Sequence, residues 1–135
     1  MSSDPTMPSV PTPEGAEPAG LLLSRDLIFT TKVTGTAREL GHRIMVAGNT
    51  ALAQAMIEQW KPRVVFVDLS AGELVSIPAL LAYRSLAGEG TPFIAFGSHV
   101  DTTALADARS AGCDPVLARS QFTAQLPALI RRAFE

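Results

Sequence analysis

Asp68 is the residue of this sequence best placed to do chemistry. It follows Val64-Val65-Phe66-Val67 without a break, so it stands at the mouth of an apolar run. A carboxylate there is partly desolvated and needs a partner. Two readings follow. It is a nucleophile or metal ligand, or it is a structural carboxylate that caps backbone N–H groups or pairs with an arginine. Three other polar clusters sit at the ends of short apolar runs in the same way. Ser24, Arg25 and Asp26 follow Leu21-Leu22-Leu23. Gly97, Ser98 and His99 follow Phe93-Ile94-Ala95-Phe96. Arg119 and Ser120 follow Val116-Leu117-Ala118. Ser98, His99 and Asp101 can be written as a Ser/His/Asp set, but neighbours on one loop rarely converge as a triad. Two histidines and one cysteine with no clustered acids argue against zinc. No GxGxxG or Walker pattern follows the first apolar run, which disfavours a nucleotide phosphate site.

The apolar runs alternate with helical stretches. Leu21-Leu22-Leu23 reads as a short strand. The spacing of Leu27, Ile28, Val33, Ala37 and Leu40 predicts a helix from Asp26 to Leu40. Thr30, Thr31, Thr34 and Gly35 weaken it, and Gly41 stops it. Arg43 to Ala47 is the second strand. Asn49 or Thr50 caps a helix running to about Trp60. Val64 to Val67 reads as a strand buried on both faces. After a loop at Ala71-Gly72 comes a helix over Ile77–Ala87, with Pro78 in its first turn. Pro92 to Phe96 is the fourth strand, and Asp101 caps a helix ending at Gly112. Val116 to Ala118 is the fifth strand. The last helix is expected from Gln121 to Phe134, where Pro127 predicts a kink or a late start.

Five such βα units in a row dictate an α/β fold. Strands joined by helical crossovers are parallel, and the crossovers are right-handed. The expected architecture is a flavodoxin-like, doubly wound, five-stranded parallel sheet of order 2-1-3-4-5 with helices on both faces. Its working crevice lies at the carboxyl ends of the strands. That places Asp68, Ser24, Arg25, Asp26, Gly97, Ser98, Arg119 and Ser120 at one end of the sheet. Arg25 and Arg119 are expected to flank Asp68 and pair with it. His42 precedes the second strand, at the opposite end, and is expected on the surface. Cys113 is expected to be a small, semi-buried residue rather than a reactive thiol. Trp60 is expected to cover the core edge.

A chain of 135 residues with 47% apolar content makes one domain with a real core. The formal net charge of −2 leaves no basic excess to serve as a nucleic-acid footprint. No apolar run is long enough to span a bilayer. The start, Met-Ser-Ser-Asp-Pro, lacks the basic and apolar regions of a signal peptide. The expectation is a soluble cytoplasmic protein with no nucleic-acid or membrane partner. A single cysteine excludes an intramolecular disulfide. Residues 1–19 carry Pro5, Pro8, Pro11, Pro13 and Pro18 together with Asp4, Glu14, Glu17 and no base. This composition predicts a disordered, partly polyproline-II tail ahead of a domain over 20–135. Pro8-Ser9-Val10-Pro11 matches a PxxP pattern that any Pro-rich tail produces.

Over residues 20–134 the chain resembles the receiver domains of two-component response regulators. Lys61-Pro62-Arg63-Val64-Val65-Phe66-Val67-Asp68-Leu69 is similar to that family's proline, hydrophobic strand and phospho-accepting Asp. Pro92-Phe93-Ile94-Ala95-Phe96 is similar to the strand before its hydroxyl residue. Ala111-Gly112-Cys113-Asp114-Pro115-Val116-Leu117-Ala118-Arg119-Ser120 resembles its Gly-Ala-Asp stretch leading into Lys-Pro. The intervals from Ser24 to Asp68 and from Asp68 to Arg119 fit as well. The departures are specific. The family's acidic pair, which joins the phospho-acceptor in holding magnesium, reads Ser24-Arg25 here, with Asp26 one residue further on. Its hydroxyl residue falls on Gly97, with Ser98 beside it. Its lysine is Arg119, which keeps charge but not geometry, and its proline is Ser120.

The resemblance implies a stand-alone signalling and interaction module that is not an enzyme. Magnesium prefers carboxylate oxygens and retained waters. Exchanging two acids for a hydroxyl and a cation therefore leads us to expect no metal cofactor. The module is expected to act through protein contacts at about Asp101–Gly112 and Gln121–Phe134, where Arg109, Arg131 and Arg132 supply charge. Its expected partners are proteins: a histidine kinase, another signalling protein, or a second copy of the chain. Two alternatives differ in class. In one, Asp68 accepts a phosphoryl group with magnesium held partly by Asp26. In the other, the Ser24-Arg25 loop seats an anion at a helix N-terminus.

Overall fold

Each apolar run becomes a strand and each amphipathic interval a helix. The computed structural model describes residues 19–135, so the expected Pro-rich tail lies, apart from Ala19, outside the described residues. Ala19 already belongs to the fold: it is buried, and its carbonyl accepts from Arg63 N–H at 2.9 Å. The order is β1 (Gly20–Leu23), α1 (Leu27–Glu39), β2 (Ile44–Ala47), α2 (Thr50–Trp60), β3 (Val65–Asp68), a 3-10 turn (Gly72–Val75), α3 (Ile77–Ala87), β4 (Phe93–Gly97), α4 (Thr102–Ser110), β5 (Val116–Ala118) and α5 (Arg119–Ala133). All strands are parallel, in the order β2-β1-β3-β4-β5. Both fold class and strand order are as the sequence predicts.

Successive strand residues point to opposite faces, and this splits the core in two. Leu21, Leu23, Val65, Val67, Phe93 and Ala95 face one side, where α2, α3 and α4 cover them. Leu22, Val64, Phe66, Ile94 and Phe96 face the other, against α1 and α5. On that second side Phe122 is fully buried. It stacks on Phe96 with centroids 4.1 Å apart, and its ring lies 5.4 Å from Phe66 and 5.9 Å from Phe29.

The helix starts follow their side chains. Asp26, Asn49, Ser76 and Asp101 each accept an N–H from the first turn of the helix that follows, satisfying donors that would otherwise lack partners. The last helix differs from expectation. It begins at Arg119 rather than Gln121 and runs unbroken through Pro127. Ala118 has no side-chain oxygen to offer, but the Gln121 amide reaches back to accept from Ala118 N–H at 3.0 Å, and this supports the early start. Pro127 removes one helical hydrogen bond. Burial of Phe122, Leu126, Leu129 and Ile130 on the same helix offsets that loss. Among the described residues no helix is long and apolar enough to cross a membrane.

Candidate functional site

Parallel register brings the carboxyl ends of the strands together. Leu23 pairs with Val67, Asp68 with Phe96, and Gly97 with Ala118. Ser24 therefore lies beside Asp68, and Arg119 begins one residue beyond the last pairing. Asp68 has no exposed surface. Its Oδ2 accepts from the Ser24 hydroxyl at 2.7 Å. Its Oδ1 accepts from the Ser70 hydroxyl at 2.7 Å, Ser70 N–H at 3.0 Å and Arg119 Nη2 at 3.1 Å. Arg119 Nη2 also donates to the Ser70 hydroxyl at 3.3 Å. The Arg119 guanidinium lies over the rings of Phe29 and Phe96, at 4.8 and 5.5 Å from their centroids. Its side chain is 35% exposed while that of Asp68 is 0%. Arginine thus closes the pocket, resting on aromatic faces that attract a cation.

The pairing expected of Arg119 with Asp68 is present; the pairing expected of Arg25 is not. Arg25 Nε donates to Gly48 O at 2.9 Å, in the loop after β2. β1 lies between β2 and β3; beyond its end Ser24 reaches the Asp68 side while Arg25 reaches the loop after β2. Asp26 does not reach Asp68 through any hydrogen bond either: its Oδ1 accepts Phe29 N–H at 3.0 Å as the cap of α1. That same carboxylate occupies the helix N-terminus where an anion seat was expected. Gly97 ends β4, and a β-carbon on it would come 3.1 Å from Leu69 Cβ, so a hydroxyl residue there would crowd Leu69. The Ser98 hydroxyl accepts from Val100 N–H at 3.3 Å within its own loop. Asp101 caps α4 through Ala104 N–H. Ser98, His99 and Asp101 are therefore not joined as a triad. Ser120 is exposed on the first turn of α5.

Arg109, Arg131 and Arg132 are exposed in the last turns of α4 and α5. These are the far ends of the helices from Asp68, where a cation complements the helix dipole. His42 lies at the end of the sheet away from Asp68, partly exposed, and is stacked on Phe134 at 4.3 Å. Trp60 is half-buried against the core, as a cover over its edge. Ser70 was not anticipated. The signal was the Asp68-Leu69-Ser70 spacing, because an Asp side chain commonly accepts from the backbone two residues on.

Cys113 is buried, and burial pushes its thiol up to about 11 from its ordinary 9.0, with Arg84 pulling the other way. Because the folded value lies above the unfolded one, stability is flat below about pH 9. It is then lost as pH rises toward 11, by about 2–3 kcal/mol in total. Urea titrations across this range, with Cys113→Ala beside the wild type, are expected to show a steeper decline in the wild type. The native thiol is expected to resist a thiol reagent at pH 8 until urea is added.

No family model matches the chain, and no curated protein matches it in sequence. Solved structures do. The receiver domain of NtrX from Brucella abortus superposes with a TM-score of 0.72 at 19% identity, covering 85% of this chain and 97% of its own. A response regulator from Thermotoga maritima gives 0.71 at 19%, covering 87% and 97%. The beryllofluoride-activated NtrC4 receiver domain, solved as a dimer, gives 0.73 at 15%, covering 86% and 95%. The fold is that of response-regulator receiver domains. A receiver fold implies a magnesium ion beside its acceptor Asp, and the residues here do not fit one. The acidic pair is absent, Asp26 is engaged in its cap, and the oxygens of Asp68 already take four donors, one of them a cation. Among the described residues no three His, Cys, Asp or Glu side chains gather as a ligand set.

Proposed function

We propose that this chain is a signalling module of receiver architecture that works through protein contacts, without metal-assisted phosphorylation and without catalytic turnover. One observation carries the reading: Asp68 is fully buried, with the Ser24 hydroxyl on one oxygen and Arg119 on the other. Phosphoryl transfer to a carboxylate needs an accessible oxygen and cations that neutralise the charge on the transferring group. Here Arg119, the cation that reaches Asp68, is already paired with the carboxylate. The network instead ties the ends of β1, β3 and α5 into one arrangement. The NtrC4 neighbour is a dimer, and a protein partner or a second copy of this chain is the expected contact. The exposed faces of α4 and α5, with Arg109, Arg131 and Arg132, are the expected surface.

Intact-mass spectrometry after incubation with acetyl phosphate or phosphoramidate tests this, with and without magnesium and with Asp68→Asn as control. The expected result is no phosphoryl adduct in any arm. A magnesium-dependent adduct that disappears in the control would establish Asp68 as a working phospho-acceptor and overturn the proposal.

A further inference from the structure

A groove of about 690 Å³ opens between the loop after β4 and the first turns of α5, lined by Ser98, His99, Arg119, Ser120, Thr123 and Ala124. It lies outside the Asp68 pocket: neither Asp68 nor Ser70 lines it, nor does any other acid. Its polar side chains are three hydroxyls, an imidazole and a guanidinium, each able to donate a hydrogen bond. The Ser98 oxygen accepts from Val100 N–H at 3.3 Å, so toward a ligand this hydroxyl is a donor. Arg119 stands between groove and pocket. Its Nη2 donates inward, to Asp68 at 3.1 Å and to Ser70 at 3.3 Å, while the rings of Phe29 and Phe96 support the guanidinium plane. A guanidinium presents five N–H donors on three nitrogens in a rigid fork. Asp68 and Ser70 meet one of those nitrogens, and the same side chain forms a wall of the groove.

Donors without an acid select an anion. They come from two elements: Ser98 and His99 from the loop, Arg119, Ser120 and Thr123 from the helix. Ser120 and Thr123 are three residues apart and share a face of α5. A carboxylate has two oxygens in one plane, whereas a phosphate monoester has three terminal oxygens set tetrahedrally, so both walls can hold it at once. The volume falls within the ~300–1,000 Å³ usual for small-molecule sites, which leaves space for an organic group against Ala124. We propose that this groove binds a small organic phosphate monoester without covalent transfer, Arg119 bridging the phosphate and Asp68, a role that rests on Asp68 remaining unphosphorylated. Transfer to Asp68 requires Arg119 to leave the carboxylate; binding in the groove keeps it there. The ligand then tightens the Asp68 network, and the network in turn preorganises the groove.

The test titrates the full chain, 15N-labelled, as wild type and S120A/T123V, with phenyl phosphate. A parallel arm uses benzoate, and intact mass is recorded on the same samples. In the wild type, saturable shifts are expected at the amides of Ser98, His99, Ser120 and Thr123. Hydrogen exchange at Ser70 N–H, which donates to Asp68, should slow, and the mass should not change. Ser120 is exposed and Thr123 only half-buried, so S120A/T123V keeps the core. Wild type with benzoate, and S120A/T123V with phenyl phosphate, should each bind about ten-fold more weakly, the loss of roughly one charge-assisted hydrogen bond. No saturable shift at these amides, or shifts confined to the opposite end of the sheet, would overturn the proposal and leave the reading of Asp68 standing. So would benzoate binding as tightly, or undiminished binding by S120A/T123V. A mass gain of one phosphoryl group would overturn both.

Discussion

Phe122→Ala is expected to lower the unfolding free energy by about 3–5 kcal/mol, the usual cost of emptying a fully buried aromatic site. Phe122 has no exposed surface and meets Phe29, Phe66 and Phe96 at once. Two of those rings, Phe29 and Phe96, also carry the Arg119 guanidinium. The loss should therefore be felt at the site as well as in the core. Urea denaturation measures the first effect, and hydrogen exchange at Ser70 N–H, which donates to Asp68, reads the second. A cost below about 1 kcal/mol would mean that the aromatic layer collapses around the gap and does not form a rigid floor beneath Arg119. Phe122→Leu keeps most of the volume and should recover more than half of the loss.

Arg119→Ala is the second large effect. Removing one partner of a buried ion pair strands the other charge and commonly costs about 3–5 kcal/mol. Arg119 is 35% exposed, so water can replace part of the lost contact, and about 2–3 kcal/mol is expected. The loss of its contact with Phe29 and Phe96 is included in that figure. A double-mutant cycle separates the terms. With Asp68→Asn in place there is no charge to strand, and the cost of Arg119→Ala should fall to about 1 kcal/mol or less. An equal cost in both backgrounds would show that Arg119 acts through packing alone. Arg119→Lys should recover only part of the stability, because an ammonium cannot lie flat across two rings while donating to Asp68 and Ser70.

These two expectations bear on the proposed function. A pocket held by Ser24, Ser70 and Arg119 around a buried carboxylate has one favoured arrangement. If Arg119 were free to leave at little cost, Asp68 would be open to a phosphoryl donor, and the case for a module independent of phosphorylation would weaken. A large coupling in the double-mutant cycle and no adduct by mass spectrometry would support the same reading by independent routes.

Much of the site was legible as position. Asp68, Ser24 and Arg119 each end an apolar run, and in a parallel sheet all such ends meet at one edge. That argument needs only the alternation of strand and helix. It does not say where a side chain turns, and so it put Arg25 on Asp68. β1 has a neighbour on each side, β2 and β3, and residue spacing does not say which of them Arg25 reaches. Ser70 was readable from its spacing to Asp68. The aromatic floor was not, because Phe29, Phe66, Phe96 and Phe122 come from four elements far apart in sequence. The stack of His42 on Phe134 joins the start of β2 to the end of α5 and was hidden for the same reason.

By itself the sequence determined the βα order, the strand order, the helix caps at Asn49 and Asp101, and the carboxylate at the mouth of the central strand. These are local properties: apolar run length, periodicity and capping chemistry act between near neighbours, and the handedness of crossovers does the rest. Tertiary structure alone decided which cation reaches Asp68, how both carboxylate oxygens are satisfied, and why α5 begins at Arg119. Each of these depends on side-chain direction and on contacts across strands. A distance of a few Å there selects one partner over another, and residue spacing along the chain does not encode it.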